Sequence, residues 1–190
     1  GWKMNYAIID IETTGLNPNK HEIIEIAIIT EKEQYHAKIL PTHIEFADPK
    51  ALEINGYNEK EWHGSIPASI VAQKTARLLD GKTIIGHNPG FDMSFLLELW
   101  DLYNCRPYID RRYIDTVCLA REHLPGCRSY SLDNIRRYLG WSMIGNHTAL
   151  FDAADTERLF HVLWRCTIVR RSYYRFRYWM VSFFGVHLKE

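Results

Sequence analysis

Apolar residues recur along this chain with two periods, and the switches between them mark the elements. Residues 5–12 read as a strand dense in isoleucine. "EIIEIAIIT" (22–30) reads as a second strand and "QYHAKIL" (34–40) as a third. Only the polar "EKE" separates those two, so they are expected to pair as an antiparallel hairpin. The segment between the first two strands is turn-rich through Gly15, Asn17 and Pro18. "ADPKALEINGYNEKEW" predicts a short helix and a turn, and "TIIGHN" (83–88) a short apolar strand. "SIPASIVAQKTARLLDG" predicts a helix with Pro67 near its start and Gly81 as its stop. Helical spacing returns in 91–103, where Phe91, Phe95, Leu96, Leu99 and Leu102 recur.

Later in the chain, "YIDRRYI" reads as an edge strand. "DTVCLAREHLPG" follows as a helix ended by Pro125-Gly126. "SLDNIRRYLG" is a helix with Ser131 as N-cap, Gly140 just past its end, and Leu132, Ile135 and Leu139 on one face. A last long helix starts near Thr148 and runs past Leu163. A β-meander followed by helices alternating with strands implies an α/β fold. Its sheet is mixed, an antiparallel meander plus parallel strands, flanked by α-helices.

Composition narrows this picture. At 190 residues the chain suits one domain with a substantial core. Basic and acidic residues number 23 each, which argues against coating nucleic acid by charge alone. The balance is uneven, however. Residues 165–190 carry a net charge of +5 and residues 1–164 a net −5. An acidic body with a basic tail is compatible with metal binding in the body and anion seeking in the tail, or with a solvated charged helix. Cys105, Cys118, Cys127 and Cys166 show no C-x-x-C pair, so reduced thiols are expected rather than a zinc site. No signal peptide and no long apolar run is seen, which predicts a cytoplasmic protein with no membrane segment.

Three stretches carry candidate chemistry. In "YAIIDIETTG", Asp10 and Glu12 interrupt an apolar strand and, two residues apart, point to one side of it. They also lie at the strand's end, where ligands of α/β sheets collect. Two carboxylates there repel unless a cation intervenes, and an all-oxygen set favours Mg²⁺ or Mn²⁺. Taken alone, the pair reads equally well as solvated strand-end acids. In "HNPGFD", Asp92 opens a helix, where an acid commonly serves the helix dipole. In "HTALFDAADTERLF", Asp152 and Asp155 share a face with Leu159 and Leu163, an odd place for carboxylates. His147, five residues before Asp152, can reach it only from the loop ahead of the helix, a position that suits a general base.

These three stretches resemble the exonuclease motifs of the DEDDh branch of the DnaQ-like 3′→5′ exonuclease superfamily, as in polymerase III proofreading-subunit-type domains. "DIETTG" is similar to D-x-E-T-T-G, "HNPGFD" to H-N-x-x-F-D, and "HTALFD" to H-x-A-x-x-D. The resemblance spans residues 5 to about 165, in the family's order. The related tyrosine branch has Tyr four residues before the last Asp, where this chain has Thr148. The resemblance implies a ribonuclease H-like fold in an exonuclease domain over residues 1–167. It implies that Asp10, Glu12, Asp92 and Asp152 hold two divalent cations, Mg²⁺ or Mn²⁺, and that His147 is the general base. The activity implied is stepwise hydrolysis from the 3′ end of single-stranded DNA, or of RNA, releasing nucleoside 5′-monophosphates. Thr13 and Leu16 are implied to meet the terminal nucleotide, at its sugar and base respectively. Asp155 matches no ligand position of the family.

The basic, aromatic segment 168–190 lies outside the motifs. Val169, Tyr173, Phe176, Met180 and Phe184 would form one apolar face of a helix packed on the same domain, with Arg170, Arg171, Arg175 and Arg177 mostly off it. Docking of a protein partner, or an Arg–aromatic surface for single strands, is the functional alternative for this segment. For the whole chain the alternative is a catalytically silent nucleic-acid-binding or scaffold domain of the same fold. A P-loop reading of "DGKT" fails because position 76 is Ala, and no G-x-S-x-G is present.

Overall fold

A computed structural model describes residues 4–110, 113–144 and 147–184, with the side chains of the last helix described as far as position 170. Five strands form one sheet: β1 (Tyr6–Thr13), β2 (Ile23–Thr30), β3 (Gln34–Lys38), β4 (Thr83–Gly86) and β5 (Ile114–Asp115). Their order is β3-β2-β1-β4-β5, which puts β1 in the middle. The β1–β2 and β2–β3 pairs are antiparallel, while β1–β4 and β4–β5 are parallel. This is the mixed sheet of a ribonuclease H-like fold.

The helices are α1 (Pro49–Asn55), α2 (Glu59–Trp62), α3 (Ala68–Leu79), α4 (Pro89–Leu102), α5 (Thr116–His123), α6 (Leu132–Leu139) and α7 (Ala149–Phe184). Alternation along β1 sorts the two faces of the sheet. Ala7, Ile9 and Ile11 join Val71 and Leu79 of α3 and Met93, Leu96 and Trp100 of α4 in the larger core. Ile8 faces the other way, into a core with Ala149, Ala153 and Phe160 of α7. Ala149 and Ala153 are fully buried, one turn apart, so α7 approaches the sheet closely and carries Asp152 with it. A third cluster joins α5, α6 and α7 through Ala120, Ile135, Leu159 and Leu163.

Three details differ from the sequence pattern. Helix α4 begins at Pro89, two residues before the apolar spacing starts, with Asn88 in the left-handed conformation (φ 69°) as its N-cap. Its buried face then includes Met93 and Trp100, whereas Leu102 is exposed. The edge strand is only two residues long, and Asp115 ends it to cap α5, accepting from Val117 N at 2.8 Å. Arg111 and Arg112 of that expected strand lie outside the described residues. Helix α7 is continuous across position 168, with Ile168 and Val169 exposed. The expected apolar face through Tyr173, Phe176, Met180 and Phe184 lies outside the described side chains.

Candidate active site

The site forms where β1 ends. The β1–β2 register shifts between Glu12 and Thr13, a bulge that turns the strand into the Thr13–Gly15 turn. That turn is held from several sides. The Thr13 hydroxyl donates to Gly15 O at 2.7 Å, and Asn55 Nδ2 donates to Thr13 O at 3.0 Å. Glu22 N donates to Thr14 Oγ1 at 2.9 Å. Gly15 is required by close approach, since a Cβ there would stand 2.5 Å from the His21 ring. Leu16 projects from the turn into solvent at 78% exposure, while Thr13 is buried.

Ligand-capable oxygens of Asp10, Glu12 and Asp152 lie within 4.8 Å of one another, so β1 and the first turn of α7 supply one acidic cluster. Asp92 reaches the same place from the first turn of α4, its Oδ1 accepting from Ile11 N at 3.1 Å. Its register depends on Gly86, where a Cβ would stand 2.8 Å from Pro89 Cβ. His87 latches the loop beside it, bonding the Tyr130 carbonyl through Nε2 and the Thr116 hydroxyl through Nδ1, both at 2.8 Å.

The four acids share one electrostatic problem. Burial first, then the charges of Asp92, Asp152 and Glu12, raise the Asp10 carboxyl well above the ordinary range. Burial, with Asp152, Glu25 and Asp92, pushes Glu12 up to about 8. Burial also pushes Asp92 up to about 7, against the backbone N–H groups it accepts from. Asp152 is raised by burial too, although Arg136 and His147 oppose the shift. Such a set of hard oxygen donors, too crowded to ionise together, fits divalent cations. Among the described residues, Asp10, Glu12 and Asp152 form the sole group of three or more His, Cys, Asp or Glu side chains close enough to hold a metal.

His147 sits in the loop ahead of α7 in the left-handed conformation (φ 63°), and its backbone N–H bonds the Asp152 carboxylate. Its Nε2 lies 3.5 Å from Asp133 Oδ2. It also borders a cleft of about 460 Å³ whose walls include Thr148, Asn55, Glu25, His36 and Lys38.

Two participants were not singled out from the pattern of residues. Arg136 is fully buried on α6, and its Nη2 donates to Asp152 Oδ1 at 2.6 Å and its Nε to Asp155 Oδ2 at 2.7 Å. Burial alone would lower its pKa; the bonds and charges of Asp155 and Asp152 outweigh that and raise it. Glu25 is buried directly opposite Glu12 and bonds His36 Nε2 at 2.8 Å. Each had a signal. Arg136 stands one turn after Leu132, on the apolar face of α6, and Glu25 interrupts an isoleucine run just as Asp10 does.

Residues 7–160 match the exonuclease family of RNase T type. The chain is an exonuclease domain of the DnaQ-like, DEDDh superfamily. It is 34% identical over 160 residues to the PolC-type DNA polymerase III of Thermotoga maritima, covering 82% of this chain and 11% of that protein. The PolC-type polymerase of Streptococcus agalactiae is 28% identical over 163 residues, covering 83% of this chain and again 11% of the relative. The DnaQ-like domain thus spans about a tenth of the length of these polymerases. Its fold is that of E. coli exonuclease I solved with a dT13 oligonucleotide, with a TM-score of 0.76 at 18% identity over 92% of this chain and 44% of that one.

Proposed function

We propose that this domain is a metal-dependent 3′→5′ exonuclease that releases nucleoside 5′-monophosphates from single-stranded DNA, with RNA as the second substrate class. The observation that carries the proposal is the convergence of Asp10, Glu12 and Asp152 to within 4.8 Å, with Asp92 and His147 adjoining. Exonuclease I structures holding dT13 and dA16 oligonucleotides support single-stranded DNA as the substrate.

Asp10, Glu12, Asp92 and Asp152 would hold two Mg²⁺ or Mn²⁺ ions. Bound there, the ions would neutralise the acids and stabilise charge developing on the reacting phosphate. The chain's own groups do the rest. His147, on a loop rather than inside α7, takes the proton of the attacking water. The Thr13 hydroxyl already donates to Gly15 O, so it meets the terminal sugar as an acceptor from the 3′ hydroxyl. Exposed Leu16 wedges against the last base, an apolar contact that demands no sequence.

Matched DNA and RNA oligomers of several lengths test the proposal, with Mn²⁺ supplied and His147→Ala as control. Shortening from the 3′ end is expected, faster on DNA, and slowed by about 10²- to 10⁴-fold in the variant. Deleting residues 168–190 tests the tail. Retained hydrolysis of a dinucleotide marks it as a docking segment, and loss of folding marks it as part of the domain.

A further inference from the structure

Arg136 is a buried cation that phosphodiester hydrolysis does not by itself demand. Its side chain has no exposed surface, yet Leu132 and Ile135 on the same face of α6 meet α7 through apolar contact. A buried ion pair is weak evidence for stability, because well-packed apolar residues usually serve as well. The three acids it meets are not a random set. Nη2 takes one oxygen of Asp152, Nε takes Asp155 one turn along α7, and Nη1 takes Asp133 Oδ1 at 3.1 Å. The other Asp133 oxygen is the one 3.5 Å from His147 Nε2. The Phe151 ring lies against the guanidinium, with its centroid 4.9 Å from Cζ. One planar fork therefore touches the proposed ligand carboxylate directly and the proposed base through a single intervening side chain.

We propose that Arg136 is a positioning residue that fixes ligand Asp152 and, through Asp133, base His147 in one rigid frame. The inference rests on the reading of those two residues given above. A guanidinium donates in fixed in-plane directions, whereas an ammonium is a point charge, so lysine keeps the charge but loses the frame. The bond to Asp152 Oδ1 also sets the direction in which that carboxylate faces a cation. Partners that orient ligands in this way typically change metal affinity or activity by about 10- to 100-fold when removed.

Arg136→Lys and Asp133→Asn test this, assayed on a 5′-labelled oligothymidylate and by thermal melting across a Mn²⁺ series. For Arg136→Lys the expected result is a kcat about tenfold or more lower, KM nearly unchanged, and a higher Mn²⁺ midpoint for thermal stabilisation. Asp133→Asn removes the charge that faces His147 and keeps a carbonyl oxygen to accept from Arg136, so kcat falls while the Mn²⁺ midpoint stays at the wild-type value. If Arg136→Lys fails to fold, Asp133→Asn decides alone. Wild-type kcat in either folded variant, or a change confined to KM, overturns the proposal. Asp10→Ala run in parallel separates the two levels. If it stays active, the site reading fails; if it is inactive while Arg136→Lys matches wild type, only the role of Arg136 fails.

Discussion

Glu12 on β1 and Glu25 on β2 stand directly opposite each other across the antiparallel ladder, both carboxylates withdrawn from bulk water. Like charges in that relationship are destabilising by a few tenths to about 1 kcal/mol. Glu25→Gln removes one charge and keeps an oxygen to accept from His36. In EDTA at pH 8 the variant should melt about 1–4 °C higher than wild type. A lower melting temperature would mean that the Glu25–His36 bond outweighs the repulsion.

The raised acids set a direction for the dependence of stability on pH. Glu12 has a folded pKa of about 8 against an ordinary 4.5, and Asp92 about 7 against 3.8. Between those limits the folded protein holds protons that the unfolded chain has released, so stability falls as pH rises. Each group contributes a slope of at most about 1.4 kcal/mol per pH unit. Metal-free melting temperatures should therefore decline from about pH 5 to pH 8. Saturating Mn²⁺ should flatten that decline, since bound cations favour the ionised acids. A metal-free curve that rises over the same window would contradict the crowding of Asp10, Glu12, Asp92 and Asp152.

Asp10→Asn separates repulsion from folding. The wild-type protein should gain melting temperature with Mn²⁺ by mass action on the folded state. The variant should lose that gain while melting no lower than wild type in EDTA at pH 8. An equal Mn²⁺ shift in both proteins would place the cations elsewhere.

Gly86 controls where α4 begins. In Gly86→Ala the new Cβ would press on Pro89, so α4 and Asp92 must shift or the core must strain. Overpacking of this kind costs about 1–3 kcal/mol. Denaturant unfolding should show that loss, together with a weaker Mn²⁺ response; wild-type stability would mean that Pro89 yields freely.

Much of this was legible in the sequence because charges were placed against the apolar pattern. Asp10 and Glu12 in an isoleucine strand, and Asp152 and Asp155 on a core-facing helix stripe, stand out before any contact is known, and the three motifs together single out Asp10, Glu12 and Asp152 as the cluster. The same anomaly at Glu25 and Arg136 was equally visible, but their meaning needs the partner. Arg136 answers Asp152 and Asp155 from another helix, and Glu25 answers Glu12 across a ladder. Periodicity also misjudged α4, where Leu102 keeps the spacing yet is exposed, being the last residue of the helix. The short β5 escaped for a related reason. Asp115 is committed to Val117 N and Asn88 N, and that tertiary bond ends the strand.

Digestion of a 5′-labelled oligothymidylate with Mn²⁺ tests the proposed chemistry most directly. Wild-type protein should produce a ladder descending one nucleotide at a time from the 3′ end, with thymidine 5′-monophosphate released. EDTA and Asp10→Ala should abolish it, and His147→Ala should slow it by about 10²- to 10⁴-fold. An oligonucleotide left at full length with Mn²⁺, or cut internally with its 3′ fragments intact, would contradict it.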